Sequence, residues 1–425
     1  MPAGGRSHGS RPDPSWRSAQ KCETITPVRA LLLENLSTKA TEILEAAGIS
    51  VENHGGAMDE DELIEALQGV QLLGIRSKTQ LTARVIDACP DLIAVGAFSI
   101  GTNQIDLAHA ARKGIAAFNA PFSNTRSVVE MAVSEMISLT RRLPDHNRSL
   151  HEGVWSKSAS GAHEIRGRTL GIVGYGNIGS QLSVIAEALG MNVIFYDSAE
   201  KLALGNATPM PSLNALLAEA DVVTLHVDGR SGNKGFFGPE QFAAMKEGAI
   251  FLNLSRGFIV DLDSLKAGLE SGAIGGAALD VFPEEPKKTG DPFESPLQNM
   301  PNVILTPHIG GSTEEAQRDI GIFVATRLRD YVFHASTSLS VNLPTLSLDQ
   351  VQGSHRVAHL HENIPGVLAA VNQVFAAHNV NIDAQLLGTR GELGYVVTDV
   401  ASGLDKEAVQ ALSSMPGTVR LRVLS

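Results

Sequence analysis

Arg256 in NLSRG, Glu285 in DVFPEEP and His308 in TPHIGGS are the residues of this chain whose types and order most readily do chemistry together. Taking a hydride from an alcohol carbon requires a base for the hydroxyl proton, and a histidine titrating near neutral pH suits that task. A carboxylate bonded to its other ring nitrogen would fix the tautomer and raise the imidazole pKa. An arginine fork would hold a carboxylate on the neighbouring carbon and polarise the oxygen that reacts. Singly, each has an ordinary explanation: a surface charge, a loop carboxylate beside prolines, a helix-capping histidine after Pro307. Their order and setting turn three ordinary residues into a candidate catalytic set, Arg256, Glu285 and His308.

The setting is a dinucleotide fingerprint upstream. Gly174-x-Gly176-x-x-Gly179 in LGIVGYGNIGSQL follows a strand-like run and opens a helix-like one. Gly174 permits the tight turn, Gly176 lets the backbone approach a pyrophosphate, and Gly179 allows close helix-to-strand packing. The next strand-like run, NVIFYD, ends in Asp197, eighteen positions after Gly179. A carboxylate there can accept bonds from the adenosine ribose hydroxyls and repel a 2′-phosphate, so NAD rather than NADP is the expected cofactor.

The elements that must position these groups follow from the hydrophobic pattern. LGIVG, NVIFYD, DVVTLHV, AIFLNLS, GAALDVF and NVILTPH read as six strands of a doubly wound parallel sheet, with the three candidate residues after the last three. An earlier block alternates VRALLLE, QLLGIRS, LIAVGAF and IAAFNAP with helix-like segments, a second parallel α/β unit. SVVEMAVSEMISLTRR, residues 127–142, is a connecting helix that stops before Pro144. EEAQRDIGIFVATRLRDYVF is helix-like, and a polar, strand-poor linker, residues 334–354, follows it. The last seventy or so residues read strand, helix, strand, strand, helix, strand, the βαββαβ order of a ferredoxin-like module. Its first helix puts Val367, Val371, Val374 and His378 on one face, with Leu368 and Phe375 alongside, a stripe that reads as core.

Composition bounds the alternatives. At 425 residues the chain is long enough for two or three domains, and 43% apolar with 19% charged residues is a globular balance. A formal net charge of −12 argues against a broad nucleic-acid surface. Cys22 and Cys89 alone give neither a disulfide framework nor metal-ligand spacing, so no metal is expected and a reducing, cytoplasmic setting is. No apolar run reaches the roughly 18 to 20 residues of a membrane span. The segment 1–22, rich in Gly, Ser, Pro and Arg, reads as a disordered tail without a secretory h-region.

With the fingerprint and the Arg–Glu–His order together, the chain resembles the D-2-hydroxyacid dehydrogenase family. GIRSKTQLT, IGTNQIDL, FNAPFSNTRSVVE, LGNAT, LTPHIGGSTEEAQ and HENIPGV extend the likeness from about Val28 to the end, and it is greatest to the phosphoglycerate-oxidising members that carry a C-terminal ACT domain. The resemblance implies a Rossmann NAD domain, 124–310, inserted in a flavodoxin-like substrate domain, 23–123 and 311–352, followed by a ferredoxin-like ACT regulatory domain, 353–425. It implies cofactor contacts at Gly174, Gly176, Asn177, Ile178, Gly179, Asp197, Ser255, Arg256, Asp280, His308, Gly310 and Gly311. Substrate contacts carry over to Arg76, Ser77, Lys78, Ser123 and Asn124; Lys157 corresponds to a basic residue that reaches a neighbouring subunit's site. Many such relatives have arginine where Lys78 stands, so the charge is kept and the fork geometry lost. An L-serine effector would be held by His361, Asn363 and Asn381, and a homotetramer is the implied assembly. Relatives have a paired glycine before the ACT domain; here Gly353 is followed by Ser354, which bears on the stiffness of the hinge. Another 2-hydroxy acid, reduction of 2-oxoglutarate, and a non-catalytic NAD-sensing scaffold remain as alternatives distinguishable by turnover.

Overall fold

The computed structural model describes residues 28–286 and 290–424; the tail expected at 1–22 and the first residues of the expected substrate domain lie outside the described residues. Three sheets organise the described residues. The first contains β1 (Arg29–Leu33), β2 (Ser50–His54), β3 (Leu72–Ile75), β4 (Ala94–Ala97) and β5 (Ala116–Phe118), all parallel, in the order β2-β1-β3-β4-β5. The strands β1, β3, β4 and β5 are buried almost throughout, as parallel strands covered by helices on both faces require. The crossovers carry α1 (Thr38–Ala46), α2 (Glu60–Ala66), α3 (Ala83–Ala88) and α4 (Leu107–Arg112). Side chains that capture first-turn amides start them: Ser37, Asp59 in a capping box with Glu62, Thr82 and Asp106.

The connecting helix is α5 (Thr125–Thr140), which ends before Pro144 as the sequence predicts, but the chain then re-enters helix where no element is expected. Arg142 takes a left-handed conformation, and Pro144 sits in the first turn of a second helix, α6 (Leu143–His151). A proline lacks only an amide that has no partner in a first turn, so it begins this helix instead of preventing one.

The second sheet has seven strands in the order β12-β11-β10-β9-β6-β7-β8. They are β6 (Thr169–Val173), β7 (Asn192–Tyr196), the two-residue β8 (Thr208–Pro209), β9 (Val222–Leu225), β10 (Ala249–Asn253), β11 (Ile274–Leu279) and β12 (Val303–Leu305). The helices are α7 (Asn177–Ala188), α8 (Leu213–Glu219), α9 (Pro239–Ala244) and α10 (Leu262–Ser271). The order reverses beside β6, where Rossmann sheets open their cofactor crevice. After β12 the long α11 (Glu314–His334), capped by Thr313, buries Ala316, Ile320, Val324, Leu328 and Tyr331 back against α1 and β4 of the first sheet.

The segment after α11 is not the loose linker its polar composition predicts. Thr337, Ser340 and Asn342 are buried, and Asn342 is bonded to the backbone of Ala117 and Ile115, which fastens the segment beside β5. Short polar side chains here satisfy buried backbone groups, which composition alone cannot distinguish from solvated loop. The third sheet, β14-β15-β13-β16, is antiparallel: β13 (His355–Glu362), β14 (Ile382–Arg390), β15 (Leu393–Val400) and β16 (Thr418–Leu424). Its helices α12 (Val367–Ala377) and α13 (Lys406–Ser413) cover one face through Val371, Phe375 and Leu412. The other face joins the first sheet's core through Ala358, Leu360, Tyr395 and Val397. At this junction Arg420 donates to the Leu92 carbonyl, Arg422 to Tyr331 and Val332, and Tyr395 to Ala335.

Candidate active site

Three adjacent strands, β10, β11 and β12, deliver Arg256, Glu285 and His308 from their carboxyl ends. Each is set by a local device. Asn253 closes β10 and accepts from both the amide and the hydroxyl of Ser255, while its own side-chain amide donates to the Arg256 carbonyl. The turn that carries Glu285 passes so close behind Arg256 that a Cβ on Gly257 would stand 1.9 Å from the Phe282 carbonyl carbon. Only glycine fits there, and it locks the Arg256 and Glu285 turns against each other. Glu285 then accepts from the Phe282 amide through Oε1 and meets His308 Nδ1 through Oε2 at 2.9 Å.

His308 occupies a left-handed backbone, φ 55°. Asp280, 2% exposed at the end of β11, holds it there: Oδ1 accepts from the Thr306 hydroxyl and the Ile309 amide, and Oδ2 from the Gly310 amide. The sequence reading assigns Asp280 to the cofactor; its carboxylate is committed chiefly to the histidine turn. Arg256 donates Nη1 to the Ser255 carbonyl and extends toward the first sheet, since a Cβ on Gly101, in the turn after β4, would stand 4.0 Å from Nη2. The guanidinium therefore lies in the cleft between the two parallel sheets.

The electrostatics assign the tautomer. Burial alone would raise the Glu285 carboxyl, but the bonds from His308 and Phe282 and the charges of His308 and Arg256 hold it below the usual carboxylate range. An ionised carboxylate only accepts, so Nδ1 of His308 carries the proton and Nε2 is left as the base. The bond to Glu285 raises the His308 pKa above its ordinary value against the opposing effect of burial.

The fingerprint residues surround an open cradle. Gly174 has φ 95°, and a Cβ there would meet the His226 carbonyl at 2.6 Å; one on Gly179 would lie 2.3 Å from the Gly174 carbonyl. Gly176, the N-cap of α7, faces space with nothing within 4 Å of its Cβ position. A helix N-terminus with empty room before it fits a dinucleotide pyrophosphate. Asp197 follows β7, and it accepts from the amides of Tyr175 and Ala199, which fixes the carboxylate beside this cradle.

Other expected site residues divide into those near the cleft and those elsewhere. Arg76, Ser77 and Lys78 form the turn after β3, and neither cationic side chain makes an ion pair among the described residues. Asn124 caps α5 and packs against Gly311, where a Cβ would be 2.2 Å from its Nδ2; Ser123 precedes it. Lys157 lies in an exposed stretch beyond α6, and no described contact ties it to the cleft. In the third sheet His361 is buried, its Nδ1 bonded to the Glu362 carbonyl and its Nε2 without a partner among the described residues. Asn363 follows on the same edge, but Asn381 sits beside Ala401 at the other end of the sheet. His361 pairs with Gly394, and Val400 lies six residues further along β15, about 20 Å at the strand repeat. One chain does not assemble the three residues.

Comparison with known proteins locates the chain among relatives. Residues 133–310 match the NAD-binding domain of D-isomer specific 2-hydroxyacid dehydrogenases, and residues 357–420 match an AHAS small subunit-like ACT domain. The D-3-phosphoglycerate dehydrogenase of Escherichia coli strain K12 is 49% identical over 400 residues, 93% of this chain and 97% of that protein. Its namesake from Dictyostelium discoideum is 44% identical over 397 residues, 93% and 97% of the two chains. Among solved structures, a D-lactate dehydrogenase from Aquifex aeolicus complexed with NAD and lactic acid superposes with a TM-score of 0.62 at 26% identity, over 71% of this chain and 95% of that one. The TT0316 protein from Thermus thermophilus reaches 0.65 at 29% identity, over 72% of this chain and 97% of that one.

Proposed function

The chain belongs to the D-3-phosphoglycerate dehydrogenase family and is an NAD-dependent oxidoreductase, and from that premise we propose that it oxidises 3-phospho-D-glycerate to 3-phosphohydroxypyruvate, the entry to serine synthesis. The observation that carries the chemistry is the 2.9 Å contact of His308 with Glu285 in the cleft that Arg256 enters. His308 Nε2 takes the C2 hydroxyl proton, Glu285 holds the ring and offsets the positive charge that develops, and Arg256 binds the substrate carboxylate. Asn177 and Ile178, at the first turn of α7, and Asp197 would hold NAD with the three glycines; bound there, NAD supplies the hydride acceptor. Ser255, Gly310 and Gly311 would complete the cofactor side of the site, and Ser123 and Asn124 the substrate side. Arg76 and Lys78 supply the cations that a substrate phosphate needs, with Ser77 between them.

We further propose that the ACT domain binds L-serine between two copies of the chain. The separation of Asn381 from His361 and Asn363 supports that reading, since a small amino acid cannot bridge about 20 Å. A neutral set of hydrogen-bonding groups suits a zwitterion, and inhibition follows if serine favours the open cleft over the closed one. An assembly of four chains would provide such pairs, and Lys157 then has a neighbour's cleft to reach.

The test is NADH consumption with 3-phosphohydroxypyruvate, pyruvate and 2-oxoglutarate, with and without L-serine. Preference for the phosphorylated keto acid with inhibition by serine supports the whole reading. Turnover that ignores serine removes the effector assignment, preference for pyruvate or 2-oxoglutarate removes the substrate assignment, and no turnover on any of the three removes catalysis.

A further inference from the structure

The Glu34 carboxylate accepts four backbone hydrogen bonds from one loop, and nothing in the motif pattern singles it out. It follows β1 with φ 67°, and Asn35 after it has φ 52°, two successive non-glycine residues in the left-handed region. Such a conformation persists where surrounding contacts hold it, and it is commonest at functional turns. Here the Glu34 amide donates to the Gly56 carbonyl, and the carboxylate makes four contacts more. The Glu34 carboxylate, in a residue 8% exposed, accepts from the amides of Arg76 at 3.3 Å, Ser77 at 3.2 Å, Lys78 at 3.1 Å and Thr79 at 2.9 Å. Each oxygen takes two. The loop after β3 is wrapped around one carboxylate.

The consequences for that loop are specific. Consecutive amides pointing into one concavity make an anion site, and here the protein's own carboxylate fills it. A substrate phosphate cannot use those amides and must be met by side chains. The cationic side chains of the loop are those of Arg76, half-buried, and Lys78, exposed, and neither is paired with an acid among the described residues. Gln104 Nε2 donates to the Arg76 carbonyl and Thr79 is buried, so both ends of the loop are fixed. The site lies where β1 neighbours β3, the point at which this sheet's order reverses and open α/β sheets bind ligands.

We propose that Glu34 is a positioning residue for the substrate phosphate: its carboxylate organises the Arg76–Thr79 amides so that Arg76 and Lys78 stand over the cleft, and selectivity for phosphorylated substrates depends on it. The proposal rests on the phosphorylated-substrate reading above. Glu34→Gln replaces one acceptor oxygen by a donor that faces two amides. The expected result is a KM for 3-phosphohydroxypyruvate raised about tenfold or more with kcat within about twofold, from losing charged hydrogen bonds in the loop and not at the reacting carbon. The inhibition constant of inorganic phosphate as a competitor rises in parallel, while the KM for NADH and kcat/KM for pyruvate, which has no distal anion, stay as in the unaltered protein. Glu34→Asp, which keeps the charge but withdraws the oxygens by one methylene, gives the same pattern in smaller degree and serves if Glu34→Gln does not fold. An unchanged KM for the phosphorylated keto acid in either variant overturns the proposal, as does an equal loss on phosphorylated and unphosphorylated keto acids, which marks a merely structural role. If the unaltered protein shows no preference for the phosphorylated keto acid, the substrate reading fails and the proposal falls with it, before any variant is compared.

Discussion

Replacing Glu135 by glutamine should stabilise the protein, increasingly so as pH rises. Glu135 lies on α5, 3% exposed, with neither carboxylate oxygen hydrogen-bonded among the described residues. Burial, assisted by the charge of Asp280, pushes its pKa up from the usual 4.5 to about 8. The unfolded chain releases this proton near 4.5 and the native chain near 8, so between those values the native state binds the extra proton and stability falls with pH. The slope is about 1.4 kcal/mol per pH unit, and across roughly 3.5 units the native state loses about 5 kcal/mol, the full amount being reached only above the folded pKa. The substituted amide would be neutral throughout and nearly the same shape, so Glu135→Gln removes that dependence. Urea titrations followed by circular dichroism at intervals from about pH 6 to about pH 9 should show the variant's advantage growing to about pH 8 and then levelling. Ionised Glu135 also repels Asp280, whose carboxylate holds the Thr306–Gly310 turn under His308. The alkaline fall in kcat that follows from this repulsion should be absent from Glu135→Gln. Parallel stability curves for the two proteins would refute the reasoning, because they would mean that Glu135 is ionised in the native state at neutral pH.

Glu285→Gln removes the bond that raises the His308 pKa, so the acid limb of the kcat/KM profile for alcohol oxidation should shift to lower pH, with a lower plateau. An unmoved limb would separate that limb from His308. Gly176→Ala and Gly179→Ala should part company: a Cβ at 176 meets open space, so that variant should keep its melting temperature and bind NADH at least about tenfold more weakly, whereas a Cβ at 179 runs into the Gly174 carbonyl and should lower both. NADH fluorescence titration beside thermal unfolding distinguishes them. Arg356 and Asp399 form a fully buried two-bond pair at 2.7 and 2.8 Å, so Arg356→Met should cost about 3–5 kcal/mol in urea unfolding, and Arg356→Met with Asp399→Leu should recover much of it. If serine is held between chains, His361→Ala and Asn381→Ala should each abolish inhibition, and co-expressed mixed assemblies should regain part of it.

The sequence is most legible where chemistry forces a residue type into a local pattern. Gly174, Gly176 and Gly179 sit in the turn, the cradle and the close contact expected of them, and the last three strands of the second sheet bring Arg256, Glu285 and His308 to one end. The alternation of apolar runs marks both parallel sheets, because strands buried on two faces read as continuous hydrophobic segments. It misses β2, an edge strand exposed along most of its length, β8, whose two residues carry no pattern, and α6, which follows α5 closely and carries Pro144 in its first turn. The residues 334–354 show the same limit: a buried Thr337 or Asn342 that satisfies backbone groups has the composition of an exposed loop.

What local pattern does not reveal is which polar residues spend their groups on other parts of the chain. Asn253 goes unremarked in the sequence and Asp280 is assigned to the cofactor, yet one fixes the arginine turn and the other the histidine turn. Glu34 stands 42 to 45 positions before the four amides it accepts from, and Glu135 is an acid in an otherwise ordinary helix until the fold buries it near Asp280. These long-range bonds hold rigid the groups that a motif makes visible, and a site requires both: Arg76 and Lys78 are merely two cations in a turn until a carboxylate from another strand decides where that turn stands. On the proposed phosphate reading, the arrangement would let the charge at Lys78 serve without arginine's fork. With the loop backbone fixed from beneath, a point charge on a flexible stem can still reach a phosphate, and the loss falls on directional bonding while the attraction is retained.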